Sequence, residues 1–591
     1  VAGVVEDKER SRQRAIRKIL KALAKKPFGE GIRVECYRDS LFLGGRVDEW
    51  AEKVSAGHTA AAFAGPGKPF LATINEIEVA GIDEERTPSL PSLTDSLLQG
   101  RSFDVLIIGG GVIGAAVAQH LARYDLSIAL VEKESDLATH ASGRNDGMVH
   151  PGFAASPGSL KAELNIEGNR LYDQLCRDLS IPFRRPGSMI LFPSPFYRLL
   201  VPILMNRAKR NGVDGYRYLS KGEVAKMEPW FTDKQRGALF LPSAGVLSPY
   251  RLVLALASHA AENGVEIVTS CAVTGFEVEQ NPRSGEGHPI RMVKTNRGSC
   301  RARLVINGAG IWSDWIAKLA DDRFFSLHGR KGVDAILDIN TGQYQSRIAG
   351  MPHLLRERHA KTKGGGLVPT IEGNILVGPT AKEVPYRENY ETDREDLEDL
   401  FSRLSVNRML NPGQVITYFA GIRACSWEED FIIRRSDRVP NLIHLAGIQS
   451  PGLASAPAIA LRAAALVKEY LGELSYRPGY RAKRTAPPVP AQLSEADRER
   501  LIRRDPAYGR IVCRCEGISE GEIRDAVKGP IPALTLDGIK RRTRGGTGRC
   551  HGGFCTPRIL EIVSREAGIS MEEITKSGGA SRILFKETKD G

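Results

Sequence analysis

Four cysteines stand close together near the C-terminal end of this 591-residue chain. They run Cys513-Arg514-Cys515, then thirty-four residues, then Cys550-His551-Gly552-Gly553-Phe554-Cys555. Four thiolates at such spacing can close a ligand set around Zn²⁺ or hold the two irons of a [2Fe–2S] cluster. Structural zinc more often uses CxxC knuckles, so CxC with a distant CxxxxC argues for iron. The other five, Cys36, Cys176, Cys271, Cys300 and Cys425, lie far apart without a disulfide rhythm, which fits a reducing compartment. Before Cys550 the chain carries Lys540, Arg541, Arg542, Arg544 and Arg549 against Asp537 alone. Such charge would offset an anionic cluster or dock an acidic electron carrier.

A second chemical signature begins at Phe103. The apolar run FDVLII leads into Gly109-Gly110-Gly111-Val112-Ile113-Gly114 and then the helical AAVAQHLARY. This is GxGxxG in its strand–turn–helix setting. Gly109 permits the tight turn, Gly111 lets backbone approach a pyrophosphate, and Gly114 lets helix pack on strand. The next apolar run, SIALVE, ends at Glu132, where a carboxylate would accept ribose hydroxyls, with Lys133 beside it. Two later segments favour FAD over NAD. One is a strand ending in Asn307-Gly308-Ala309-Gly310. The other is NLIHLAGI, containing Gly447, running through Gln449-Ser450-Pro451-Gly452-Leu453 into a long helix. That helix start can face a flavin pyrimidine and stabilise negative charge on the reduced ring.

These motifs, with Ser142-Gly143-Arg144-Asn145-Asp146-Gly147-Met148-Val149-His150, Gly378-Pro379-Thr380 and Phe419-Ala420-Gly421-Ile422-Arg423, resemble one family. It is the glycerol-3-phosphate dehydrogenase and L-2-hydroxyglutarate oxidase branch of the D-amino-acid-oxidase-like flavoproteins. The resemblance implies Ser142, Asn145 and Gly147 as further FAD contacts. It also implies His150 beside the flavin, as base for an alcohol proton, and Arg423 as clamp for the anionic end of a small substrate. Arg330 and Lys331 are weaker candidates for the same pocket. One departure stands out: His150-Pro151-Gly152-Phe153 is followed by Ala154-Ala155, where the respiratory glycerol-3-phosphate enzymes carry a phosphate-holding arginine. A 2-hydroxy acid or an amine therefore stays in play as substrate, as does a purely electron-transferring or scaffold subunit. The cysteine region resembles the bacterioferritin-associated ferredoxin module, on Glu516-Gly517-Ile518-Ser519 and Thr535-Leu536-Asp537-Gly538 as well as the ligands. Electrons would leave through its cluster to an acceptor protein or quinone-linked subunit.

Positioning these groups takes several domains, which the length supports. The expected fold class is α/β. A Rossmann-type FAD-binding domain built from about 102–185, 244–324 and 416–475 would carry an inserted β-sheet substrate domain from 186–243 and 325–415. A small α/β unit, 1–81, opens with a basic amphipathic helix and resembles a BON domain on Leu43-Gly44-Gly45-Arg46-Val47 and Asn75-Glu76-Ile77-Glu78-Val79. Linkers are expected at 82–101 and 476–508, with the iron–sulfur domain and a polar tail at 509–591. The net charge of +13 is dispersed and no nucleic-acid motif accompanies it, so nucleic acid is not an expected partner. No run of eighteen apolar residues occurs, and the charged start lacks a signal peptide's apolar core. A cytoplasmic protein is expected, with peripheral association at the inner face of the membrane through partners. The chain starts on Val1 rather than Met, so residues are expected upstream.

Overall fold

The computed structural model of the chain describes residues 2–84, 87–279, 287–350 and 365–586, with side chains from residue 7 onward. Parts of the expected first linker, of the inserted segment 325–415 and of the polar tail lie outside the described residues.

The central layer is a sheet whose parallel strands run Glu266–Val268, Ile128–Val131, Ser102–Ile108, Gly298–Asn307 and Leu442–Ala446. Val105, Leu106 and Ile107 are buried on both faces, as expected of a continuous apolar run in a parallel sheet. Helices Val112–Leu121, Pro249–Glu262, Gly452–Leu471 and Leu160–Asp178 pack together on it through Val117, Leu121, Leu256 and Ile459. Antiparallel strands Val273–Val278 and Ile290–Thr295 extend the far edge.

Among the described residues the inserted segments form a nine-stranded mixed sheet together with strand Val415–Ser426, expected from sequence to fall almost wholly in the FAD-binding segment 416–475. Its long pair is Leu327–Leu337 against Val415–Ser426, in a register that sets Arg330 opposite Arg423 and Gly332 opposite Gly421. On its other side Arg330 faces Glu383 of strand Lys382–Val384.

The N-terminal unit opens with helix Ala2–Leu23, followed by strands Ile32–Tyr37 and Ser40–Val47 and helix Trp50–Ala61. Two short strands close it, Thr73–Asn75 and Glu78–Val79, both parallel to the second strand. The Asn75 side chain accepts from Ile77 N and turns the chain between them. This head is docked on the flavin-type domain. Ser40 Oγ donates to Phe324 O at 2.6 Å, Asn75 N donates to Ser326 Oγ at 2.9 Å, and Gly57 lies against the Trp427 ring.

Neither expected linker is free chain. In 82–101, Leu98 is fully buried beside Phe103 and Val293 and its N–H bonds Arg297 O at 2.8 Å. In 476–508 a helix, Glu495–Arg504, is capped by Ser494 and anchored by Leu501 alone. The cysteine unit packs helices Glu520–Lys528, Leu536–Thr543 and Thr556–Ala567 around Ile523, Ile539, Ile559 and Val563.

Candidate active site and iron–sulfur site

Where the two sheets meet lies a cavity of about 1190 Å³. The flavin and substrate residues expected from sequence line it except Gly114, which packs the helix on its strand, the turn glycines Gly147 and Gly447, and Lys331. Gly109 has φ +107°, and a Cβ there would sit 2.4 Å from Gly308 O. A Cβ on Gly111 would sit 2.8 Å from Ser142 Oγ, and one on Gly114 would meet Gly109 O. Ser142 Oγ accepts from Val112 N at 2.8 Å, tying the later loop to the start of the helix. That helix has no cap from its own N-cap residue, Gly111, so its first turn faces the cavity as an anion site. Glu132 is buried, accepts from Gly110 N at 2.7 Å and Glu134 N at 2.9 Å, and burial raises its pKa. Lys133 is paired with Glu134 and Glu388. Crowded glycines, a free helix start and a positioned carboxylate suit a dinucleotide cofactor. Gly109→Val is therefore expected to give folded protein with little flavin, read as the ratio of visible to ultraviolet absorbance. Normal flavin content would refute this account of the turn.

At the other end of the cavity, the 142–150 loop is held by its own turns. Asn145 Nδ2 donates to Ser142 O at 2.8 Å, and Asn145 Oδ1 accepts from Gly147 N at 3.0 Å. The His150 carbonyl accepts from Asn165 and Asn169, while its Nε2 lies 3.3 Å from Ser450 Oγ. The ring thus stands between the loop and the start of helix Gly452–Leu471.

The two arginines expected in the pocket part company. As cross-strand neighbours they set like charges side by side, which is unfavourable unless one is neutralised. Arg330 is the neutralised one. It donates to Glu383 at 2.6 Å, to Glu429 at 2.5 Å and to Gln449 at 3.0 Å, so it braces the wall rather than offering a free clamp. Lys331 is likewise committed, to Asp396 at 2.8 Å and Asp393 at 3.2 Å. Among the described residues Arg423 forms no ion pair. Its Nη2 donates to Thr380 O at 3.2 Å and its Nη1 has no partner. The nearby Asp334 is buried, and desolvation with Asp146 close by pushes its pKa well above the ordinary value. A buried guanidinium with an open donor at a cavity wall is suited to receive an anion.

Glu429 gives a pH prediction. Burial alone would raise its pKa, but hydrogen bonding and charge from Arg330 hold it at about 2. A depressed carboxylate stabilises the fold above its unfolded pKa and loses that contribution as pH falls through the folded value. Between about pH 4.5 and 2 the protein should lose on the order of 3 kcal/mol from this group. Glu429→Gln should flatten that part of the acid-unfolding curve, followed by far-ultraviolet circular dichroism; an unchanged curve would count against it.

Sequence reading missed Asp334, Glu429, Gln449 and Arg207. Asp334 left a signal, the lone acid of strand Leu327–Leu337, within its apolar half Val333–Leu337. Arg207 comes from helix Tyr197–Asn211 and donates to Phe153, Ala154 and Ala155 carbonyls, so a guanidinium does stand beside the loop that lacks its own arginine.

The cysteines form two pairs. Cys515 Sγ and Cys550 Sγ are 3.2 Å apart, and the Cys513 and Cys555 thiols are in hydrogen-bond contact. Among the described residues no three of these sulfurs lie within 4.8 Å of one another. One Zn²⁺ would gather all four sulfurs closely; two pairs set apart suit two irons. Cys513 and Cys555 are buried, whereas Cys515 is exposed next to this module's surface.

Fold and site together define a flavin-dependent oxidoreductase with an iron–sulfur module. The family model described as FAD dependent oxidoreductase matches residues 104–466, and the chain belongs to that family. A BFD-like [2Fe-2S] binding domain matches residues 511–565. More particularly, the chain is 37% identical over 490 residues to the glycerol 3-phosphate dehydrogenase of Caloramator mitchellensis, covering 82% of this chain and 99% of the relative. Over 299 residues it is 30% identical to human mitochondrial L-2-hydroxyglutarate dehydrogenase, 49% of this chain and 63% of that one. A solved structure of dithionite-reduced L-alpha-glycerophosphate oxidase from Mycoplasma pneumoniae with FAD bound superposes with TM-score 0.60 at 29% identity, covering 66% of this chain and all of that one. The protein is an FAD-dependent oxidoreductase homologous to glycerol-3-phosphate dehydrogenases and oxidases, with FAD and a [2Fe–2S] cluster as its cofactors.

Proposed function

We propose that the protein oxidises sn-glycerol 3-phosphate to dihydroxyacetone phosphate. The observation that carries this reading is Arg423, a buried guanidinium with an unpaired Nη1 on the same cavity as His150. Arg423 would hold the phosphate, His150 would take the hydroxyl proton, and the hydrogen on the same carbon would leave as hydride. FAD supplies the hydride acceptor and the [2Fe–2S] cluster a one-electron exit to an acceptor protein or quinone-linked subunit. Ser450, beside His150 Nε2, would help keep the ring aligned.

A second reading, oxidation of a 2-hydroxy acid such as L-2-hydroxyglutarate, draws support from Ala154 and Ala155 and from the L-2-hydroxyglutarate dehydrogenase relatives. Anaerobic mixing separates the two. Bleaching of the flavin by glycerol 3-phosphate and not by L-2-hydroxyglutarate supports the first, and the reverse pattern overturns it.

No helix among the described residues is long and apolar enough to cross a membrane. We read the protein as cytoplasmic and peripheral to the membrane. Helix Tyr197–Asn211 supports this, because Phe196, Leu199 and Ile203 are exposed beside Arg198, Lys209 and Arg210, a surface matched to anionic lipid. Sedimentation with anionic vesicles, lost in Leu199→Glu/Ile203→Glu, is the expected result; no sedimentation removes the reading. The head, with its helix–strand–strand–helix–strand order, we read as BON-like.

A further inference from the structure

At the joint between the head and the flavin-type domain, three residues converge that neither the flavin nor the cysteine chemistry uses. His58 lies on helix Trp50–Ala61 of the head, His328 opens strand Leu327–Leu337, and Glu383 lies in strand Lys382–Val384. One ligand atom from each lies within 4.8 Å of the others.

The chemistry around them is incomplete as it stands. His328 has a side chain 1% exposed, and neither of its ring nitrogens has a hydrogen-bond partner. Its Nε2 is 3.1 Å from Glu383 Oε2, which itself has no hydrogen bond of acceptable geometry. Leaving a buried polar atom unpaired costs about 1–3 kcal/mol. Of these atoms, His328 Nε2 and Glu383 Oε2, at ion-pair distance without hydrogen-bond alignment, can share one cation.

The surroundings are those of ligands. His58 Nδ1 lies 3.3 Å from Trp427 O, a backbone contact of the kind that orients a ligand imidazole. Glu383 Oε1 takes the Arg330 hydrogen bond, an outer partner that orients the carboxylate and leaves Oε2 directed elsewhere. His328 is stacked on Trp427 with ring centroids 4.2 Å apart, which fixes its plane. Two imidazoles and one carboxylate match a borderline divalent ion such as Zn²⁺, with water completing the tetrahedron. Ligand atoms at about 2.0–2.2 Å from such an ion lie closer together than 4.8 Å, a gap that small side-chain rotations close.

We propose that His58, His328 and Glu383 form a divalent transition-metal site, separate from the four cysteines, that staples the head to the flavin-type domain. The consequence is specific. His58 also lines the flavin cavity, as do Ala61, Ala62 and Lys68 of the head, so the ion fixes one wall of that cavity.

The test uses full-length protein carrying flavin and iron, stripped with EDTA and titrated with Zn²⁺ by calorimetry. One equivalent should bind and raise the thermal midpoint. Zinc-edge X-ray absorption should give only nitrogen and oxygen neighbours near 2.0–2.2 Å, without the sulfur shell near 2.3 Å that cysteine ligation would give. His58→Gln and His328→Gln should each weaken binding by at least about 100-fold, more than loss of an outer partner costs. His58 is half-buried, so its variant decides the matter if His328→Gln does not fold. No uptake, a sulfur shell, or binding unchanged in His58→Gln overturns the proposal.

Discussion

Arg423→Ala is expected to cut kcat/KM for the anionic substrate by about 10³-fold, the loss of a desolvated charge-assisted clamp. Flavin content should stay normal, because Arg423 lies on the substrate sheet and the glycine turn is untouched. Arg423→Lys should recover only part of the loss, since an ammonium cannot form the two parallel bonds of a guanidinium. Anaerobic stopped-flow flavin reduction measures this directly. A loss under about tenfold would mean that the anion is held elsewhere, with Arg207 as the next residue to change.

Cys515→Ser should separate the two redox centres. Cys515 is exposed, so the substitution spares the core formed by Cys513, Cys555, Ile523 and Val563. Reductive titration of the wild type should take up roughly three electrons per chain, and the variant roughly two. Flavin reduction by substrate in a single turnover should stay within about twofold, while turnover with one-electron protein acceptors falls by at least about 100-fold. Full turnover in a variant lacking iron would show that electrons leave from the flavin itself.

What was legible in the sequence was local. The GxGxxG turn and the CxC…CxxxxC set depend on neighbours a few residues apart, and both stand where expected. The different fates of Arg330 and Arg423 were not legible. They rest on Glu383 and Glu429 reaching one arginine and a buried Asp334 near the other, contacts that only the sheet register creates. The polar segment 476–508 read as linker, because a helix anchored by Leu501 alone carries almost no apolar periodicity. Docking of the head through Gly57 and Trp427 joins residues hundreds apart and leaves no local trace.

Asp136 carries a last consequence. This buried carboxylate, in the loop after Glu132, accepts from Arg542 twice at 2.9 Å and from Arg541 at 3.2 Å, while Arg549 reaches Asp338 of the substrate sheet at 2.8 Å. Burial works against its ionisation, but the two guanidinium groups hold its pKa below the ordinary value, so the clasp stays charged at neutral pH. A module clasped at both ends cannot swing like a tethered shuttle. The inner hop then has a fixed span that crowding and viscosity leave alone, and only the collision at the rim near Cys515 and the protruding Phe554 depends on how much acceptor is present.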